Sequence, residues 1–226
     1  MKEDTTGGSY LIFGATGMVG QGVLRECLRD PGVRRVTAVG RSPSGQVHEK
    51  LRDVVVPDLA DLSAAEPQLT GFDACFFCVG VTAAGLDEAA YTRITFDLTM
   101  AVARTVARLN ASLVFLYVSG LGADSSERGR VMWARVKGRT ENGLLQLPFR
   151  AAYMFRPGYI QPLDGIRSRT RWYRLFYGAM APISPVLRAL LPGAVTTTAQ
   201  LGRAMIRVAR HGHPSPILHS RDINRL

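Results

Sequence analysis

An apolar run, Tyr10-Leu11-Ile12-Phe13, stops at Gly14, and glycines recur at Gly17 and Gly20. A helix-like segment, Gln21 to Arg29, follows at once. This order reads as a buried strand, a tight turn and a helix N-terminus. The first glycine permits the turn, the second lets backbone approach a ligand, and the third lets the helix pack close to the strand. The helix end, with Thr16, Met18 and Val19 around Gly17, offers unpaired N–H groups and a positive dipole to a pyrophosphate. A glycine-rich turn without a ligand is the alternative.

The rest of the chain alternates in the same way. Val36–Gly40, Val54–Val56, Ala74–Val79, Leu113–Val118 and Ala151–Phe155 read as further buried strands, and Pro216–His219 as a last one. Helical patterns are predicted from Asp87 to Leu109, with Ile94, Leu98, Val102, Val106 and Leu109 on the apolar face, and from Gly129 to Leu147. Alternation of short apolar strands with helices predicts an α/β fold with a doubly wound parallel sheet. At 226 residues the chain fits one domain, and Pro, Gly and Arg become frequent after Pro157. Residues 157–215 are therefore expected to form a small substrate-side annex, with the last strand returning to the sheet.

Charge is distributed unevenly. Residues 1–149 balance acid against base, whereas residues 150–226 carry 12 arginines against only Asp164 and Asp222, which accounts for the net +10. Such an end can meet nucleic acid, an anionic membrane or a small anion, or simply form a solvated face. No recognition-helix or aromatic RNP pattern accompanies it, so no specific nucleic-acid partner is expected. Met1 to Ser9 is polar, which predicts no secretory signal. No run of about 18 apolar residues predicts a membrane span. With three cysteines the chain lacks a disulfide framework, and it reads as cytoplasmic.

Candidate site residues lie at the strand ends. Arg41 follows the second strand, 21 positions after Gly20. An acid there would bond the ribose 2′-hydroxyl of NAD, whereas a guanidinium suits the 2′-phosphate of NADP. NADP is thus expected over NAD, with Ser42 adding a hydrogen bond; the alternative is a surface arginine. Asp58, with Leu59, follows the third strand, placed either to accept from an adenine amino group or to cap the segment beginning near Leu62. Cys78, Val79 and Gly80 end the fourth strand and would border the cofactor. Cys75 and Cys78 are three apart on a strand, so they face opposite sides and read as core rather than as a redox or zinc pair. His211 and His213 lack acidic or cysteine partners, and no metal is expected.

Ser119 ends the fifth strand, Trp133 lies 14 positions on, and Lys137 follows one helical turn later. Together with the glycine turn, Tyr117-Val118-Ser119, Val136-Lys137-Gly138 and Phe155-Arg156-Pro157-Gly158, this order resembles the short-chain dehydrogenase/reductase superfamily in its atypical, epimerase/dehydratase-like branch. More closely it resembles the Tat-interacting-protein oxidoreductase group and its bacterial relatives, over residues 8 to about 165. The resemblance implies a Rossmann-type fold and an NADPH-dependent oxidoreductase or epimerase-like activity. It implies that Ser119 orients a substrate carbonyl, that Lys137 holds the nicotinamide ribose, and that backbone at Pro157, Gly158 and Ile160 borders the nicotinamide. The family's proton-donating tyrosine is replaced by Trp133, whose indole N–H only donates and does not exchange a proton near neutral pH. Proton transfer then falls to another group, such as Tyr159 or Tyr91, or to Ser119 through water. The other reading is a dinucleotide-binding regulatory protein without turnover. Arg167, Arg169, Arg171 and Arg174 fit an acidic small-molecule substrate, an extra phosphate over the cofactor or a solvated edge, and Phe176, Tyr177, Ile183, Val186, Leu187 and Leu190 fit a partly apolar substrate pocket or the core of the annex.

Overall fold

Continuous apolar strands bury both faces of a sheet, and a parallel sheet covered by helices is what such strands build. The computed structural model describes residues 7–163 and 195–226. Seven parallel strands form the main sheet in the order β3-β2-β1-β4-β5-β6-β9. They are β1 (Gly8–Phe13), β2 (Val33–Gly40), β3 (Leu51–Val55), β4 (Ala74–Phe77), β5 (Val114–Val118), β6 (Ala151–Arg156) and β9 (Ile217–His219). β7 (Tyr159–Gln161) and β8 (Val195–Thr197) pair in parallel as a separate ribbon. The strand order reverses between β1 and β4, and such a reversal opens a crevice beyond the carboxyl ends of the strands.

Two cores sandwich the sheet. Tyr10 and Ile12 point to one, where α1 (Met18–Arg29) and α5 (Thr198–His211) pack. Leu11 and Phe13 point to the other, beneath α3 (Leu98–Leu109) and α4 (Met132–Leu145). Cys75 lies in the second core and Cys78 packs against the first, on opposite faces of the sheet. In the second core Phe13, Phe77 and Phe115 follow one another across neighbouring strands with centroids 5.9 Å apart. Burial of each such ring contributes about 2–3 kcal/mol before conformational entropy is counted. α1 and α5 approach closely because both are small at the crossing: a Cβ on Gly22 would meet Thr198, and one on Gly202 would meet Glu26.

Three local expectations are corrected. The helix predicted from Asp87 is divided into α2 (Glu88–Thr92), a π-helical turn (Arg93–Asp97) and α3. The wider turn shifts the helical phase, so Ile94 is exposed rather than buried. α4 starts three residues late, at Met132, because the Asp124 carboxylate captures the Gly129 amide at 2.7 Å and holds it in a loop. Asp58 caps no helix: its carboxylate accepts from Ala60 two residues on, and Asp61 meets the Ser63 amide where the short 3₁₀ helix Ser63–Gln68 begins.

Of the annex expected over 157–215, β7, β8 and α5 are described, and α5 packs on α1. Arg167, Arg169, Arg171, Arg174 and the apolar residues from Phe176 to Leu190 lie outside the described residues. Among the described residues no helix is long and apolar enough to cross a membrane.

Asn110 ties the two sides of the second core together. Its buried side chain accepts from the Phe72 amide at 2.9 Å and donates to the Leu69 and Val106 carbonyls. Asn110→Ala orphans these groups and is expected to cost about 2–3 kcal/mol in urea unfolding, with the slope of the transition unchanged. A loss within experimental error would show that water replaces the amide.

Candidate active site

The carboxyl edge of the sheet gathers most of the residues picked out above. At its centre Gly14 has φ +84°, a conformation that disfavours a side chain, and a Cβ there would stand 2.8 Å from the Cys78 carbonyl carbon and the Val79 nitrogen. The ends of β1 and β4 thus touch at the point where the strand order reverses. A Cβ on Gly20 would stand 2.1 Å from the Gly14 carbonyl oxygen, and one on Gly17 3.3 Å from it. Gly17 is the N-cap of α1, with extended backbone, no side-chain cap and no acid in the first turn. The turn is a glycine-lined cradle at an uncapped helix start, which fits a pyrophosphate.

The loop after β2 carries Arg41 and Ser42. The Arg41 side chain is exposed. The loop itself is pinned: Ser44 donates from its amide and its hydroxyl to the Asp53 carboxylate, each at 3.0 Å. Asp58 is exposed and Leu59 buried beyond β3. Cys78 and Val79 are half-buried and Gly80 is open on its Cα side. Burial pushes the Cys78 thiol up to about 12 and raises Cys75 as well, so neither is a thiolate near neutral pH.

Ser119 follows β5, its amide bonded to the Phe155 carbonyl. The Ser119 hydroxyl oxygen is buried and makes no hydrogen bond among the described residues. An orphaned buried hydroxyl is costly, and a ligand oxygen would satisfy it. Lys137 lies next to it in the fold: its Cδ and Cε stand 4.0 Å from where a Gly120 Cβ would be, and its Nζ lies 5.5 Å from the Tyr117 ring centre. Burial lowers the Lys137 ammonium to about 8, against an opposing pull from Glu141. Trp133 is half-buried, its six-membered ring against Gly122, where a Cβ would come within 3.3 Å of it. Tyr91 is buried on α2 and acts electrostatically on Tyr117, whereas Tyr159 is half-buried on β7.

At the end of β6 the backbone is already engaged. The Gly158 amide donates to the Ser220 hydroxyl at 2.7 Å, and the Pro157 carbonyl accepts from Leu121. The Ile160 side chain is in the first core, leaving only its main chain for a ligand. Among the histidines, His48 accepts from the Lys50 amide and His213 bonds around Ser215, both local turn contacts. Among the described residues no cluster of three potential metal ligands occurs.

Sequence reasoning missed a buried ion pair beneath this edge. Arg156 donates from Nε to both Glu141 oxygens, at 3.0 and 3.1 Å, and from Nη2 to Glu141 and to the Ser125 hydroxyl. Two signals stood in the sequence: an arginine directly after the apolar run of β6, and a glutamate four residues after Lys137.

Comparison with known proteins gives a consistent result. The profile of a family described as NAD(P)H-binding matches residues 14–143. The protein HTATIP2 of Rattus norvegicus is 29% identical over 201 residues, covering 83% of this chain and 81% of that one. The mitochondrial protein fmp52 of Aspergillus clavatus is 30% identical over 168 residues, 71% of this chain and 68% of that one. Among solved structures, a short chain dehydrogenase family protein from Francisella tularensis superposes with a TM-score of 0.66 at 11% identity, covering 96% of this chain and 98% of that one. MoeE5 in complex with UDP-glucose and NAD superposes with a TM-score of 0.66 at 18% identity, covering 94% of this chain and 75% of that one. At such identities the structural matches speak to the fold.

Proposed function

Because this chain belongs to the NAD(P)H-binding family, as an atypical short-chain dehydrogenase/reductase related to HTATIP2, we propose that it is an NADPH-dependent oxidoreductase or epimerase-like enzyme acting on a small molecule. The observation that carries this reading is the Ser119 hydroxyl, buried beside Lys137 and without a partner among the described residues. The Gly14–Gly20 turn takes the pyrophosphate, Arg41 and Ser42 the 2′-phosphate, and Lys137 the nicotinamide ribose. Bound there, the cofactor supplies a hydride. Ser119 donates a hydrogen bond to the substrate oxygen and orients it. Lys137 adds positive charge where negative charge develops. Trp133 excludes water from this corner without moving a proton. The Lys137 ammonium, near 8, is in a range suited to proton exchange close to neutral pH.

Trp133 favours a second reading, a dinucleotide-binding regulator without turnover. Fluorescence titration with NADPH and NADH separates binding from chemistry, because Trp133 lies at the proposed nicotinamide end. NADPH is expected to bind about tenfold more tightly than NADH, a difference that Arg41→Ala removes. Tighter binding of NADH would overturn the role given to Arg41. NADPH oxidation against a panel of carbonyl compounds is expected to fall by about 100-fold on Ser119→Ala. Turnover that arises only on Trp133→Tyr would favour the regulator. A cytoplasmic location is part of the proposal and is tested by fractionation; the fungal relative's name places that protein in mitochondria.

A further inference from the structure

Lys137 and Glu141 are one turn apart on α4, and the Glu141 side chain is 1% exposed. A carboxylate so deep needs a cation, and Arg156 on β6 provides it through Nε and Nη2. The same guanidinium reaches the Ser125 hydroxyl at 2.6 Å, in the loop between β5 and α4. That loop is also pressed on α4 at Gly138, where a Cβ would lie 1.7 Å from the Asp124 carbonyl oxygen. One arginine therefore joins the end of β6, the face of α4 and the loop that follows Ser119.

Among the described residues, these groups face Lys137 or its partners. Glu141 faces it from its own helix and Tyr117 from β5, while Arg156 faces Glu141 from β6 and Tyr91 on α2 acts on Tyr117. Burial pushes the Tyr117 phenol well above its ordinary range, so it stays neutral. Arg156 pairs directly with Glu141, and Lys137, one helical turn away, feels the same carboxylate at longer range. We propose that Glu141 and Arg156 are positioning residues for Lys137: the carboxylate, held by the guanidinium one helical turn from Lys137, sets the electrostatic field in which the ammonium stands at the edge of the site. The consequence for ligand binding rests on the placement of the nucleotide ribose at Lys137 proposed above; the effect on Lys137 itself does not.

The chain has only three lysines, Lys2, Lys50 and Lys137, so the full-length protein labelled with [ε-¹³C]lysine gives a spectrum that Lys137→Arg assigns. Titrated without nucleotide, Lys137 is expected to change charge near 8. Glu141→Gln removes the anion and is expected to lower the midpoint by about one pH unit. Arg156→Gln removes the competing cation and is expected to raise it by a similar amount, about one unit, while Arg156→Lys holds it within about half a unit. The opposite signs separate positioning from mere loosening, and either variant that folds is decisive. Shifts in the same direction, or below about 0.3 unit in both, overturn the proposal. So does an unaltered protein in which Lys137 titrates at the ordinary 10.5, a result that needs no variant. NADPH affinity between pH 6.5 and 9.5 is then expected to fall by about tenfold across each protein's own Lys137 midpoint. Binding that ignores that midpoint counts against the ribose placement alone, since the lysine titration is read without nucleotide.

Discussion

Gly20→Ala is expected to lose NADPH binding by about a hundredfold, roughly 2.8 kcal/mol, and to unfold about 2–3 kcal/mol more easily. The added Cβ would stand 2.1 Å from the Gly14 carbonyl oxygen, 2.7 Å from its carbon and 3.0 Å from the Ala15 Cα, all of them backbone. No rotamer relieves such a contact. The start of α1 must move away from β1, and the amides proposed to face a pyrophosphate move with it. Gly17→Ala meets the same oxygen at 3.3 Å and needs only a few tenths of an ångström of adjustment, so its effect is smaller on both counts. Gly80→Ala opens into free space on the same edge and is the control for stability alone, expected to change it by less than about 0.5 kcal/mol. Calorimetric titration of the three variants beside urea unfolding checks the ranking. Equal losses of stability for Gly20→Ala and Gly80→Ala would mean that the close approach of α1 to β1 is not what shapes the cradle.

The other large effect belongs to the Arg156–Glu141 pair. Arg156→Met leaves the Glu141 carboxylate buried with only the more distant Lys137 as a cation and orphans the Ser125 hydroxyl, and it is expected to cost about 3–5 kcal/mol. Glu141→Leu leaves the guanidinium uncompensated and costs a similar amount. The double variant removes both charges and is expected to recover most of the loss, because paired buried charges bring little net stability over well-packed apolar groups. The double-mutant cycle in urea measures this directly, as a coupling of roughly 5 kcal/mol or more. Additive losses would show that the two side chains hold the fold through separate contacts. Restored stability without restored nucleotide binding would separate their structural role from their effect on Lys137.

The sheet was legible because parallel strands covered on both faces are continuous apolar runs, and Tyr10–Phe13, Ala74–Phe77 and Val114–Tyr117 are such runs. The cradle was legible because its glycines do a local job within seven residues of chain. Less could be read where one residue answers another far along the chain. The π-helical turn at Arg93–Asp97 leaves the composition of an ordinary amphipathic helix, so the exposure of Ile94 was hidden. The Gly158 amide is taken by Ser220, 62 residues further on, and no spacing rule connects them. Glu141 and Arg156 each left a local signal in the sequence, but only the packing of α4 on β6 makes them a pair. The orphaned Ser119 hydroxyl was predictable in identity but not in condition, since burial and lack of a partner are properties of the folded edge.

The account turns on a nucleotide lying across the carboxyl ends of the strands, over β1 and β4. Crystals grown with NADPH test this most directly. The predicted result is a pyrophosphate against the backbone amides of residues 18–20, with the 2′-phosphate within reach of Arg41 and the nicotinamide ribose at Lys137. A turn that holds only solvent in the presence of saturating NADPH, or a nucleotide bound at another face, would contradict it.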